Sequence, residues 1–196
     1  MSTKHRLISS AIDLMSNKSY NSVGVQDICN RAEVKKGSFY HFFPSKRDLT
    51  IEALGSLWDE YKNSVIIPIF ESDKTPYEKL RDFFTFGYEH QMRAKSCTGC
   101  VSGCSFGNLS LELSTQDETI RKKIENIFDD WSYYIEKTIQ EAISRGEISA
   151  SVNVRESAQA LIALAEGILL LCKTYNDPEL IMKITDNLFE IIKIRR

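Results

Sequence analysis

The sequence predicts an all-α chain of about nine helices, and three observations predict it. Apolar residues recur at three- and four-residue intervals along most of the chain, and runs that alternate apolar with polar residues are almost absent. Prolines, glycines and N-cap residues punctuate the periodic stretches at helix-length intervals. The composition agrees: 196 residues, 42 % hydrophobic and 27 % charged, are ordinary globular values that allow a sizeable core and exclude disordered or fibrous classes.

The elements follow in order. Leu7, Ile8, Ala11, Ile12 and Met15 share one helical face, and the helix ends near "SNKSYNS" (16–22). Residues 25–32 form a short second helix with Ile28 and Ala32 inward. "EVK" (33–35) is a turn, and "KGSFYHFF" (36–43) is a third helix stopped by Pro44. Ser45 is a good N-cap for a fourth, which carries Leu49, Ala53, Leu54, Leu57, Trp58 and Tyr61 to about Val65 and is closed by Pro68. Thr75-Pro76 opens a fifth, running to about Lys95 with Leu80, Phe83, Phe84 and Tyr88 on its face.

Residues 96–107, "SCTGCVSGCSFG", read as a break or a short irregular helix, followed by "NLSLELS". A long helix from about Gln116 to Arg145 bears Ile120, Ile124, Ile127, Phe128, Trp131, Ile135 and Ile139, with Gly146 as its C-cap. Two last helices span about 154–174 and 178–194. The first carries Ala158, Leu161, Ala165, Ile168, Leu169 and Cys172, the second Leu180, Ile181, Ile184, Leu188 and Ile191.

The net charge of -2 hides an asymmetry. Residues 1–48 hold eight Lys/Arg against four acids, a net +4, and the remainder carries -6. A basic head on an acidic body suggests a polyanion partner at one end. No segment reads as a targeting signal or a membrane span: the longest apolar run, "ALIALAEGILLLC" (160–172), is short and contains Glu166. Five cysteines, an odd number in a chain with a good core, argue against a secreted disulfide scaffold and place the protein in a reducing cytoplasm.

Two short helices joined by a tight turn, the second opening with cations and small residues, have the shape of a helix-turn-helix. A helix N-terminus directs free N–H groups at phosphate, and Lys36, Gly37 and Ser38 add charge, close approach and a hydroxyl. Tyr40 and His41 lie one turn on, within reach of phosphate or base edges, while Phe39 and Phe43 face the head's own core.

The stretch "SVGVQDICNRAEVKKGSFYHFFPSKRDL" (22–49) resembles the DNA-binding head of the tetracycline-repressor (TetR) family. That resemblance implies a DNA-binding head over residues 1–48 and a ligand-binding and dimerisation body over 49–196. It implies that Tyr40 and Lys46 contact phosphate, that Lys35, Lys36, Gly37, Ser38 and His41 belong to the recognition helix, and that Gln26 is a contact on the second helix. Two residues depart from the pattern. Gly24 replaces a Thr or Ser N-cap, with Asp27 at N3 able to help, and Glu33 stands where glycine is usual, a source of strain if its φ is positive.

Cys97, Cys100 and Cys104 would share one face if their segment were helical, and Gly99, Gly103 and Gly107 make it small and flexible. "GCSFGNLSLEL" (103–113) resembles a Gly-Cys-x-x-Gly-Asn-Leu motif found in one branch of the family, near the ligand pocket. Four readings stay open for the thiols: small, partly buried residues of the fold; a sensor of oxidants or electrophiles, with Lys95 nearby to favour a thiolate; a metal site completed by His90; or a disulfide. No metal or cofactor is expected beyond these. Phe83, Tyr88, Phe106, Trp131 and Tyr134, with Asn108, could line an apolar pocket, and the resemblance implies an unidentified small-molecule ligand there that lowers DNA affinity.

The two last helices are more apolar than helices facing water, which suggests a homodimer built on that helix pair. The resemblance therefore implies a homodimeric regulator of palindromic double-stranded DNA, more often a repressor than an activator. Two rivals are an enzyme and a cysteine-based redox or electrophile-binding module without sequence-specific DNA binding. The phosphate-binding glycine motifs and the H-x-x-x-H pair are absent from the sequence, and the thiols lack an obvious paired histidine.

Overall fold

The computed structural model describes residues 2–191, without the side chains of residues 16, 17, 186 and 188–191. The inward positions expected of Leu188 and Ile191, and the helical residues 192–194, lie outside the described residues. Among the described residues the chain is all-α, with nine helices of seven residues or more: α1 (Thr3–Asn17), α2 (Val25–Ala32), α3 (Lys36–Phe42), α4 (Lys46–Tyr61), α6 (Pro76–Thr98), α7 (Ser105–Leu113), α8 (Glu118–Ser144), α9 (Val154–Tyr175) and α10 (Glu179–Ile191). A 3₁₀ turn (Tyr20–Ser22) precedes α2, and a single helical turn, α5 (Ile67–Phe70), follows α4. The chain packs as two compact units, Met1–Glu60 with Ser105–Ile127, and Tyr61–Cys104 with Phe128–Arg196.

In the first unit the periodic apolar residues form a single core. Leu7, Ile8, Ala11 and Met15 of α1 meet Ile28, Cys29 and Ala32 of α2, Phe39 and Phe43 around α3, and Leu49 and Ala53 of α4, all buried. Each large apolar side chain among them contributes roughly 1.5–3 kcal/mol by leaving water, which is how helices of seven and eight residues, too short to persist alone, become fixed. Their ends are secured locally. Ser2 Oγ accepts from His5 N at 3.2 Å. Asp27 at N3 accepts from Gly24 N at 2.8 Å, the half of a capping box that does not need a side chain at the N-cap.

Glu33 closes α2 with φ 54° and ψ 47°, a left-handed conformation. For a residue with a Cβ this costs roughly 1–2 kcal/mol. Hydrogen bonds from Glu33 N to Asn30 O (3.2 Å) and from Val34 N to Cys29 O (3.0 Å), with core residues on both sides of the turn, hold it there. The strain expected at this position is therefore present. Ser45 caps α4 as its sequence suggests, accepting from Asp48 N at 3.2 Å and donating to Asp48 Oδ2 at 2.6 Å.

The second unit departs from expectation at one place. Pro68 does not end the fourth helix: after Tyr61 a π-helical segment (Lys62–Ile66) leads into α5, where Pro68 occupies the second position and its missing N–H costs nothing. The break expected within residues 96–107 is present as a loop, so the three thiols do not share one helical face. α6 ends at Gly99, with φ 82°, and Gly103 has φ 72°, so the chain leaves the helix between Cys97 and Cys100.

The other boundaries follow their caps. Thr75 and Glu78 form a capping box at the start of α6, Asn153 caps α9 by accepting from Glu156 N at 3.2 Å, and Gly146, with φ 70°, follows α8. α10 packs on α6 and α9. Lys79 and Glu141 form a largely buried ion pair at 2.7 Å.

Candidate nucleic-acid interface and effector region

The geometry of α2 and α3 divides their residues cleanly. Phe39 and Phe43 are fully buried with ring centroids 6.0 Å apart, which anchors α3 to the core by one face. The opposite face carries Lys36, Gly37 and His41, all exposed, Ser38, half-buried, and Tyr40, 52 % exposed despite its large ring. Lys35, the residue before α3, is also exposed, and no side chain caps the helix start. A Cβ built on Gly37 would meet no protein atom within 4 Å. Packing within the chain therefore does not require a glycine there. Gln26 is exposed on α2 and donates to Asn30 Oδ1 at 2.8 Å.

Lys46 is placed differently from a freely projecting surface lysine. Its ammonium donates to Tyr20 O and Val23 O, both at 2.9 Å, and stands 3.8 Å from the Tyr20 ring centroid. Burial holds its pKa below the usual lysine range, with Glu112 opposing that shift. Two of its three donors thus join the start of α4 to the 3₁₀ turn before α2.

The effector candidates fall into separate groups. In the second unit Phe83 and Trp131 are buried with centroids 5.4 Å apart, and Tyr61 packs on Trp131 at 6.0 Å and on Phe86 at 6.0 Å. Tyr134 is buried, with the Lys62 ammonium 5.6 Å over its ring. Tyr88 directs its hydroxyl to Glu179 Oε1 of α10 at 2.8 Å. Phe106 and Asn108 belong to α7 in the first unit, where Phe106 packs edge-on against Trp58 at 6.0 Å.

All five cysteines are free thiols: Cys97 and Cys100 exposed, Cys104 half-buried, Cys29 and Cys172 buried. The loop after α6, which holds Cys100 and Cys104, is pinned rather than slack. Gln91, buried on α6, accepts from Ser102 N (3.1 Å) and Gly103 N (3.0 Å) and donates to Gly103 O (3.1 Å). Asn176, left-handed at the end of α9, accepts from Val101 N at 2.9 Å and donates to Gly99 O at 3.0 Å. Lys95 directs its ammonium to Asn176 O at 2.6 Å.

Neither Gln91 nor Asn176 was marked by the sequence reading, although Gln91 had a signal: it is a polar residue seven positions after Phe84 on an apolar stripe. In this same unit the Cys104 thiol hydrogen-bonds to Glu166, whose carboxyl is pushed up from the usual range mainly by burial.

The segment Gly103-Cys104-Ser105-Phe106-Gly107 has the G-x-S-x-G spacing of a nucleophile elbow, an enzyme pattern not anticipated above. Its serine, however, opens α7 after a loop, and no strand feeds it among the described residues, so the strained strand-to-helix turn that exposes such a serine is missing. Among the described residues no group of three or more His, Cys, Asp or Glu side chains could hold a metal ion.

α9 carries two apolar faces. Ala158, Leu161, Ala165, Ile168 and Cys172 are buried within the chain, whereas Leu170, Leu171 and Tyr175 are 55, 42 and 69 % exposed. At 22 residues this helix is longer than its most apolar run and, by length and composition alone, could cross a membrane.

Residues 7–53 match the model of "Bacterial regulatory proteins, tetR family", and residues 76–188 match "Tetracyclin repressor-like, C-terminal domain". The transcriptional regulator AcuR of Cereibacter sphaeroides is 30 % identical over 88 % of this chain and 77 % of its own. An HTH-type transcriptional regulator from the lacX 3' region of Lactococcus lactis is 27 % identical over 97 % of this chain and 91 % of its own. A crystal structure of a regulatory protein TetR from Rhodobacter sphaeroides superposes with a TM-score of 0.84 at 29 % identity, covering 95 % of this chain and 97 % of that one.

Proposed function

Because the chain belongs to the TetR family of bacterial regulatory proteins, we propose that it is a homodimeric one-component repressor that binds a palindromic operator and is released by a small ligand or a reactive electrophile. Regulation of transcription in response to a ligand, rather than turnover, is the activity this membership carries. The observation that supports the DNA-binding reading best is the division of α3, with Phe39 buried and Lys36, Gly37, Tyr40 and His41 exposed on the other side. In this reading Tyr40 and the ammonium of Lys46 contact phosphate, Lys35, Lys36, Gly37, Ser38 and His41 follow the groove, and Gln26 adds a contact from α2. The basic residues 1–48 form the DNA-binding head and residues 49–196 the sensor and dimer body.

A second copy covers the exposed face of α9. Leu170, Leu171 and Tyr175 are too large and too apolar to stand in water as a group, and two heads must present their recognition helices about 34–36 Å apart to read one turn of DNA. The effector reading is supported by the rings of Phe83, Trp131 and Tyr61, by exposed Cys97 in the last turn of α6, and by a pinned loop that presents exposed Cys100 and half-buried Cys104. With those thiols accessible, a reactive electrophile is one class of inducer.

The experiment that tests this reading is selection of bound sequences from a random duplex library, repeated after treatment with N-ethylmaleimide. A two-fold consensus that is lost on alkylation is the expected result. Ser38→Ala and Lys36→Ala should change the consensus, and an unchanged consensus in both would refute their roles. Failure to select any consensus at low salt would favour the thiol-based module without sequence-specific DNA binding.

A further inference from the structure

The first unit contains a polar link that neither the sequence nor the family comparison accounts for. The 3₁₀ turn Tyr20–Ser22 delivers the chain to α2 at Gly24, only two residues beyond its end. Three residues of 3₁₀ helix are marginal by themselves. Glu112, on α7 and about ninety residues away in sequence, accepts from Tyr20 N through Oε2 at 2.8 Å and from Asn21 N through Oε1 at 3.1 Å. These are the first two N–H groups of the turn, which have no partner within it.

At the acceptor side of the same segment Lys46 donates to Tyr20 O and Val23 O. A carboxylate on the donors and an ammonium on the acceptors clamp the segment from both ends, with charge-assisted bonds at each.

We propose that Glu112 is a positioning residue of the DNA-binding head: by clamping the turn Tyr20–Ser22 from α7 it fixes the entry of α2 and the seat of Lys46, and so sets operator affinity. The inference rests on the DNA-binding reading above. Its sign is distinctive. Removing an acid from a basic head should by charge alone tighten binding to any duplex, whereas loss of the clamp weakens binding to the operator only.

The test uses the full chain and the duplex recovered by selection with the unaltered protein. Operator and scrambled duplex are titrated against Glu112→Ala, Glu112→Asp and, as a control for charge, Glu118→Ala on α8. Loss of two charge-assisted bonds should cost Glu112→Ala about tenfold or more in operator affinity, with scrambled duplex bound as well as before or better. Glu112→Asp, one methylene short of reaching both N–H groups, should fall between, and Glu118→Ala should match the unaltered protein.

Amide exchange at Tyr20 and Asn21 should accelerate in Glu112→Ala while the protection of α1 is kept. Operator affinity within twofold of the unaltered protein would overturn the inference, as would an equal loss on both duplexes accompanied by lost protection throughout α1–α3, which would make Glu112 merely structural. Failure of the unaltered protein to select any duplex would overturn the DNA-binding reading and this inference with it.

Discussion

Gly37 separates stability from function at a single residue. It occupies the second position of α3, where glycine is a poor helix former, and nothing in the chain approaches the space a Cβ would fill. Gly37→Ala should therefore stabilise the fold by about 0.5–1 kcal/mol in urea unfolding while weakening operator binding, because the proposed interface seats a phosphate backbone in that space. Improved stability with undiminished DNA affinity would refute the proposed contact. Lys46 mixes the two roles. Lys46→Ala removes the proposed phosphate contact and also the ammonium that donates to Tyr20 O and Val23 O, so it should cost about 1–3 kcal/mol of stability and make the salt dependence of DNA binding shallower by about one unit. Tyr40→Phe, at an exposed hydroxyl, should weaken DNA binding without altering the melting temperature. The outward residues of α3 were legible in the sequence because their spacing places them opposite Phe39 and Phe43. The double use of Lys46 was not, since its partners are backbone carbonyls twenty-three and twenty-six residues away and no side-chain pattern encodes them.

Among the elements, helices were legible wherever a stripe and two caps coincide. α6 shows this, opened by Thr75-Pro76-Tyr77-Glu78 and closed by Gly99, whereas the passage from α4 to α5 does not, because a π-helical turn let the chain pass through Pro68. The cysteine segment, by contrast, was legible as a break, and a loop does follow Thr98. Three- and four-residue spacing predicts one face only if the backbone stays helical, and positive φ at Gly99 and Gly103 ends that condition. Its rigidity comes from Gln91 and Asn176, whose long-range bonds to the loop have no local signature. α9 yields the prediction that belongs at this scale. Its second apolar face, on which Leu170 and Leu171 are exposed, should be the seam with a second copy. Leu171→Glu would place a charge in that seam and should convert a dimer of about twice 22.4 kDa into a monomer, as read by light scattering on a size-exclusion column. Retention of the dimer, with secondary structure unchanged, would move the interface elsewhere.

At the scale of the whole molecule, stability carries the imprint of a carboxyl group that the fold buries at a cost. Glu166 lies half-buried on α9, its Oε1 is buried with no hydrogen-bond partner among the described residues, and burial raises its pKa while the hydrogen bond from Cys104 works against that rise. A carboxyl whose pKa is raised on folding binds its proton more tightly in the folded chain. The folded state is therefore favoured most at low pH and loses stability as pH rises from the unfolded carboxyl value, about 4.3, through the folded one. Glu166→Gln keeps the shape and removes the ionisation. Urea unfolding of both proteins between pH 4 and pH 8 should show nearly equal stability at the acid end, with Glu166→Gln gaining steadily toward neutrality and the difference levelling once Glu166 is ionised in both states. The other carboxylates, including Glu141 in its ion pair with Lys79, titrate alike in the two proteins and cancel in the comparison. A difference that stays constant with pH would mean that Glu166 acts through packing rather than charge. A difference that grows as described would identify the interior around Cys104 as the place where a ligand able to donate a hydrogen bond to that carboxylate would gain most.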